Sequence, residues 1–148
     1  MIVLASGGFD PLHIGHVRYL KEAAKYGTLI VALNSDAWLM RKKGFVFMPW
    51  ADRFEILASL SMVASVVPVD DRDGTVCEAI ERVRPDVFCN GGDRTVGDPR
   101  ERASCFLVGC RESFGVGGGK IQSSSHLVAA ARSALHQVDH HEVDGDPR

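Results

Sequence analysis

The residues best suited to chemistry fall in one decapeptide, Gly7-Gly8-Phe9-Asp10-Pro11-Leu12-His13-Ile14-Gly15-His16. An apolar run, Met1 to Ala5, precedes it and reads as a buried strand. A pattern with Val17, Leu20 and Ala24 on one face follows it and reads as a helix. The order is therefore strand, glycine-bearing turn, two imidazoles, helix. Backbone N–H groups, a helix N-terminus and two ring N–H donors meet at one point, which suits a polyphosphate. Gly15 allows close backbone approach at the helix start, and the amides of Gly8 and Phe9 are further donors. Asp10 either holds the turn, orients a metal or a histidine, or contacts the ligand directly.

Three further clusters carry polar chemistry. Arg41-Lys42-Lys43-Gly44 follows a short helical segment; such a run is either a solvated basic loop or a set of phosphate contacts. Asn90-Gly91-Gly92-Asp93-Arg94 is a turn whose glycines permit backbone contact with a base or ribose. There Asp93 accepts from a hydroxyl or amino group, and Arg94 reaches phosphate or stabilises the loop. Lys120-Ile121-Gln122-Ser123-Ser124-Ser125 precedes a helical pattern. Serines there cap free N–H groups, and the same hydroxyls and amides bind phosphate. Arg53, near a helix start, pairs with Asp52 or Glu55 or meets a ligand. His126, His136, His140 and His141 are scattered and define no ligand set, so no protein metal site is expected.

Those clusters need a scaffold. Strand-like runs at Ile2 to Ser6, Leu29 to Leu33, Ser65 to Val69, Asp86 to Cys89 and Glu112 to Val116 alternate with amphipathic stretches. One such stretch has Trp50, Phe54, Leu57 and Leu60 on a face, another Val76, Ala79, Ile80 and Val83, a third Leu127, Ala131, Leu135 and Val138. Pro99 to Val108 reads as a helix with a broad apolar face. The alternation predicts an α/β fold: a Rossmann-like, doubly wound, parallel five-stranded sheet with helices on both faces. In such sheets ligands bind beyond the C-terminal strand ends, where the polar clusters fall. Residues 1–138 form the expected domain and 139–148 a polar, frayed tail.

The chain has 148 residues, 45% of them hydrophobic and 24% charged, enough for a single core. A net charge of −2 gives no argument for nucleic acid or an anionic membrane, and neither is an expected partner. No apolar run nears the roughly 20 residues that span a bilayer, and no basic region precedes the first apolar stretch. A cytoplasmic protein is expected, with Cys77, Cys89, Cys105 and Cys110 as reduced, mostly structural thiols.

The full string G-x-F-D-x-x-H-x-G-H resembles the nucleotidylyltransferase superfamily marked by a His-x-Gly-His signature. Glycerol-3-phosphate cytidylyltransferase, ethanolamine-phosphate cytidylyltransferase and heptose-1-phosphate adenylyltransferase belong to it. The resemblance spans roughly residues 1 to 135. It implies that His13 and His16 contact a nucleoside triphosphate, with Gly7, Gly8, Phe9, Asp10 and Gly15 around it. It also implies that Lys43 meets substrate phosphates and that Arg53, and less directly Arg41, lie near nucleotide or acceptor. Gly91, Gly92 and Asp93 match the family's glycine-plus-aspartate turn. Ser123, Ser124 and Ser125 match its Ser-Thr-Thr element, Ser124 with a catalytic share. Gly117-Gly118-Gly119-Lys120-Ile121-Gln122 departs from the cytidylyltransferases' Arg-Thr-x-Gly-Ile segment, with Lys120 in place of the arginine.

The implied reaction passes CMP or AMP from CTP or ATP to a small phosphorylated sugar or alcohol and releases pyrophosphate. Mg²⁺ arrives with the triphosphate. Asn34-Ser35-Asp36, Lys43-Gly44 and Gly91-Gly92-Asp93 look closer to heptose-phosphate adenylyltransferases, while the domain pattern fits cytidylyltransferases equally. The resemblance also implies a homodimer; the apolar run Phe45 to Trp50 is its contact, or else packs in the core or closes the site. The rival readings are a non-catalytic nucleotide-binding module and a fragment related to class I aminoacyl-tRNA synthetases.

Overall fold

In the computed structural model, residues 1–92, 96–119 and 122–144 are described, with side chains up to residue 137. Five parallel strands are β1 (Ile2–Gly7), β2 (Thr28–Leu33), β3 (Ser65–Pro68), β4 (Val87–Gly91) and β5 (Arg111–Val116). Their order across the sheet is β3-β2-β1-β4-β5, so the direction of winding reverses between β1 and β4. The helices are α1 (Ile14–Ala24), α2 (Asp36–Lys43), α3 (Trp50–Ala58), α4 (Cys77–Val83), α5 (Pro99–Val108) and α6 (Ser124–Asp144).

Period-two alternation divides the strand side chains between two cores. Val3 and Ala5 of β1, Leu29, Val31 and Leu33 of β2, and Val87 and Cys89 of β4 pack with Tyr19, Leu20 and Ala23 of α1 and Leu57 of α3. Leu4, Ala32 and Phe88 point the other way, onto Ala79 and Ile80 of α4 and Cys105 of α5. Both faces are covered, as the continuous apolar strands require.

Two amphipathic expectations are corrected. The apolar residues Phe106 and Leu107 of α5 are 89% and 69% exposed, while Glu101, Ser104 and Cys105 form its buried face. These three lie at i, i+3 and i+4, so the spacing selects the inward face despite a glutamate on it. Among the described side chains of α6, only Ser124 and Val128 are buried, whereas Leu135 is exposed. The start of this helix is tied to the turn after β1 through Ser124 and Pro11. Its backbone stays helical to Asp144, so the expected domain limit at 138 falls inside α6. All four cysteines are free. No helix among the described residues is long and apolar enough to cross a membrane.

Candidate active site

The loops beyond the C-terminal strand ends enclose an open cavity of about 640 Å³ at the β1/β4 reversal. Its floor is the turn after β1. At Gly8 a Cβ would stand 2.8 Å from Leu39 Cδ2 of α2, so any larger residue there would displace that side chain. Phe9 takes φ 50°, a conformation costly for a bulky residue. Its ring is buried and meets His16 edge-on at 4.9 Å.

The two histidines cap α1 reciprocally. His13 Nδ1 accepts the Gly15 N–H at 3.1 Å, and His16 Nδ1 accepts the His13 N–H at 3.2 Å. The rings stack with centroids 3.7 Å apart. An accepting Nδ1 on neutral His16 places the ring proton on Nε2. Burial, then the charges of His13 and Lys43, lower the His16 pKa to about 3, so it is a neutral donor at physiological pH. Capping and ligand binding are thus compatible in one side chain: Nδ1 serves the helix while Nε2–H remains a donor. Both histidines line the cavity.

Lys43 ends α2, and Gly44 at φ 81° closes that helix in the left-handed conformation. Lys43 Nζ lies 3.5 Å from the Asp10 carbonyl and lines the cavity. Lys42 lines it too, its ammonium 4.6 Å from the Trp38 ring centre, one helical turn earlier. From the opposite side come Gln122, Ser123, Ser124 and Ser125. Ser123 caps α6, its Oγ accepting the His126 N–H at 3.0 Å.

Gly7, Gly8, Phe9, Gly15, Gly91 and Gly92 also border the cavity, so most of the expected site converges. Gly117 closes the rim at φ 88°, where a Cβ would collide with Tyr19 backbone at 2.7 Å. Asp93, Arg94 and Lys120 lie outside the described residues.

Four of the expected site residues make hydrogen bonds within the protein. Arg53 is buried rather than a surface pair with Asp52 or Glu55. Its guanidinium is fully buried and donates to Met48, Gly8 and Asn34 carbonyls and to Asp36. Asp10 is buried and accepts the Phe47 and Met48 N–H groups at 2.7 and 2.6 Å, holding the loop after α2 against the β1 turn. Arg41 turns away from the cavity and donates to the Asp71 carbonyl at 2.8 Å. The Ser124 hydroxyl donates to the Pro11 carbonyl at 2.7 Å, tethering α6 to that same turn.

Sequence reasoning missed Trp38, Lys42 and Glu101 as lining residues. The i, i+4 spacing of Trp38 and Lys42 was the available signal for the first two. For Glu101 it was the shared face with Ser104 and Cys105.

Residues 4–116 match the cytidylyltransferase-like family. The bifunctional protein HldE of Syntrophotalea carbinolica is 43% identical over 97 residues, 64% of this chain and 19% of that protein. Its counterpart in Nitrosococcus oceani is 46% identical over 97 residues, again 64% of this chain, and 20% of that protein. The chain thus spans about a fifth of the length of these relatives. A lipopolysaccharide core biosynthesis protein from Thermoplasma volcanium superposes with a TM-score of 0.63 at 26% identity, covering 77% of this chain and 93% of that one. A protein of unknown function from Archaeoglobus fulgidus shares the fold, with a TM-score of 0.54 at 16% identity over 81% of this chain and 99% of its own. With the family match covering most of the sheet, and the strand–turn–histidine–helix unit built as described, the chain belongs to the cytidylyltransferase-like family of nucleotidyltransferases.

Proposed function

We propose that this protein transfers CMP or AMP from CTP or ATP to a phosphorylated sugar or alcohol and releases pyrophosphate. The observation that carries the reading is the histidine pair: two stacked imidazoles whose Nδ1 atoms are spent on α1, beside Lys43 in the strand-end cavity. An oxygen of the acceptor phosphate attacks the α-phosphorus. The bond from that phosphorus to the α,β-bridging oxygen breaks, and its electron pair leaves on pyrophosphate. The acceptor is already an anion, so no general base and no covalent enzyme intermediate are needed.

Catalysis is then placement and charge neutralisation. The Nε2–H of neutral His16 donates to an α-phosphate oxygen as charge builds there. His13 supplies a second ring donor, and Lys43 follows the charge that moves toward pyrophosphate. The backbone N–H groups at the start of α6 favour the departing phosphates. Magnesium enters as part of the nucleotide, which leaves most of its coordination to water and phosphate.

Similarity to a lipopolysaccharide core biosynthesis protein supports a sugar phosphate as acceptor. The homodimer belongs to the same reading: Phe47 is 57% exposed in the apolar loop that follows α2. Calorimetric titration with CTP and ATP, each with Mg²⁺, names the nucleotide. Pyrophosphate release on adding acceptor then tests transfer. His16→Ala is expected to lower turnover by about 10²–10³ with an unchanged circular dichroism spectrum. Full activity in that variant would refute the role given to the ring.

A further inference from the structure

Two of the chain's thiols, Cys105 and Cys110, flank the turn that joins α5 to β5. Gly109 ends α5 in the left-handed conformation at φ 73°, and the Cys110 N–H reaches back to the Cys105 carbonyl at 2.8 Å. A left-handed glycine followed by this long backbone bond is a Schellman reversal, which brings the side chains of the two bonded residues together. The bond also bounds their separation. Standard bond lengths on either side of it, with the usual bend at the nitrogen, leave the two Cα atoms at most about 6 Å apart. A disulfide takes Cα separations of roughly 4.4–6.8 Å, so one closes here without moving the backbone.

The side chains converge as well. Cys105 is a buried member of the core beneath α4 and α5, and Cys110 packs against the same cluster. The Cys105 S–H donates to Cys110 Sγ. The other two thiols are placed elsewhere: Cys89 belongs to the core on the opposite face of the sheet, and Cys77 opens α4. The two paired sulfurs differ in what they can do. Cys105 is buried, whereas Cys110 is half-buried. Their hydrogen bond lowers the Cys110 pKa, and the same bond together with burial raises that of Cys105. A thiolate is the nucleophile in thiol–disulfide exchange, so the more accessible sulfur is also the one that ionises first.

We infer that Cys105 and Cys110 form a redox modification site, a dithiol that a low-molecular-weight disulfide converts to an intrachain bond locking the α5–β5 turn. The Cys110 thiolate attacks one sulfur of the reagent. The reagent's S–S bond breaks, and its other half leaves as a thiolate that takes up a proton. Cys105 then gives its proton to solvent and attacks Cys110 Sγ of the mixed disulfide. The second reagent thiolate leaves and is protonated. Two protein thiols are thereby oxidised, and one disulfide is reduced to two thiols. The turn stands where β5 begins, whereas the ligand cavity is lined by Val116 at the far end of that strand. The bond therefore acts on the anchoring of α5 to β5, away from the histidines.

The test incubates the purified chain with oxidised glutathione, blocks remaining thiols with an alkylating reagent and digests with trypsin. Both cysteines fall in one tryptic peptide, Ala103 to Arg111. The intrachain bond appears as that peptide unalkylated and two hydrogens lighter, with the free thiols of the whole chain reduced from four to two. Dithiothreitol should restore all of them. The oxidised chain should melt about 2–5 °C higher, because the bond restricts the unfolded state. Cys110→Ser, at the half-buried position, should lose both the bond and the shift in melting point, whereas Cys77→Ser should keep them. A glutathione adduct that persists on Cys110 would overturn the inference, as would pairing of Cys110 with Cys77 or Cys89, or a fully alkylated peptide after oxidation. A lower or unchanged melting point in the oxidised chain would overturn the lock. Peptide mass and melting are read on the natural chain, so they stand if a variant folds poorly.

Discussion

Arg53 Nη1 donates to the Gly8 carbonyl at 2.8 Å, so a fully buried cation on α3 holds the turn that precedes the histidines. The same nitrogen meets the Asn34 carbonyl at 2.9 Å, Nε meets the Met48 carbonyl at 2.9 Å, and Nη2 pairs with Asp36 at 2.5 Å. One planar fork thus ties together the ends of β1 and β2 and the loop before α3. Lysine has one point charge and cannot span these acceptors. Arg53→Lys should cost about 2–4 kcal/mol, in the range for breaking a buried charged network. Thermal unfolding checks this, with a melting point lower by roughly 5–15 °C. An unchanged melting point with activity lost would instead make Arg53 a substrate contact.

The scaffold was largely legible in the chain, because apolar strands and helical periodicity report burial directly. All five strands lie within two residues of their expected limits at either end. The H-x-G-H unit was legible because a local motif, a capped helix start, carries most of its own geometry. Arg53, Asp10 and Ser124 were not. Each makes its decisive contact across 38 or more residues, to Gly8, Met48 and Pro11, and spacing along a chain carries no information about such partners. Polar residues that buttress a binding turn also look, in sequence, like polar residues that touch the ligand. Glu101 shows the reverse error. Charge suggests solvent, yet its helix face, shared with Cys105, turns inward.

Asp10 gives a test that separates buttress from ligand. Its two oxygens take two backbone N–H groups in a site with no solvent exposure. Asparagine keeps one acceptor and turns an NH₂ toward the other N–H, at a cost of about 1–3 kcal/mol. Asp10→Asn should therefore melt lower and lose kcat/KM as Lys43 and the 44–49 loop shift. The Mg²⁺ concentration at half-maximal activity should not move. A large rise in that concentration, with stability unchanged, would make Asp10 a metal contact.

The neutral state of His16 has consequences for both stability and rate. Its pKa in the folded chain is about 3 against an ordinary value of 6.5. Between those values the unfolded chain holds the proton and the folded chain does not. The contribution of His16 to stability is therefore complete above about pH 6.5 and is lost as pH falls from there toward 3. Across pH 8 to 5 the ring keeps its proton on Nε2 and stays a donor, so no acid limb in kcat/KM over that range should belong to it. Long-range ¹⁵N correlation spectra, assigned with His16→Ala, read this directly. The expected spectrum shows a protonated Nε2 and an unprotonated Nδ1 that do not titrate between pH 8 and 5. A His16 signal that titrates near 6.5 would mean that the ring is charged when substrate phosphates are, and the oxygen-facing neutral donor would have to be abandoned for an ion pair.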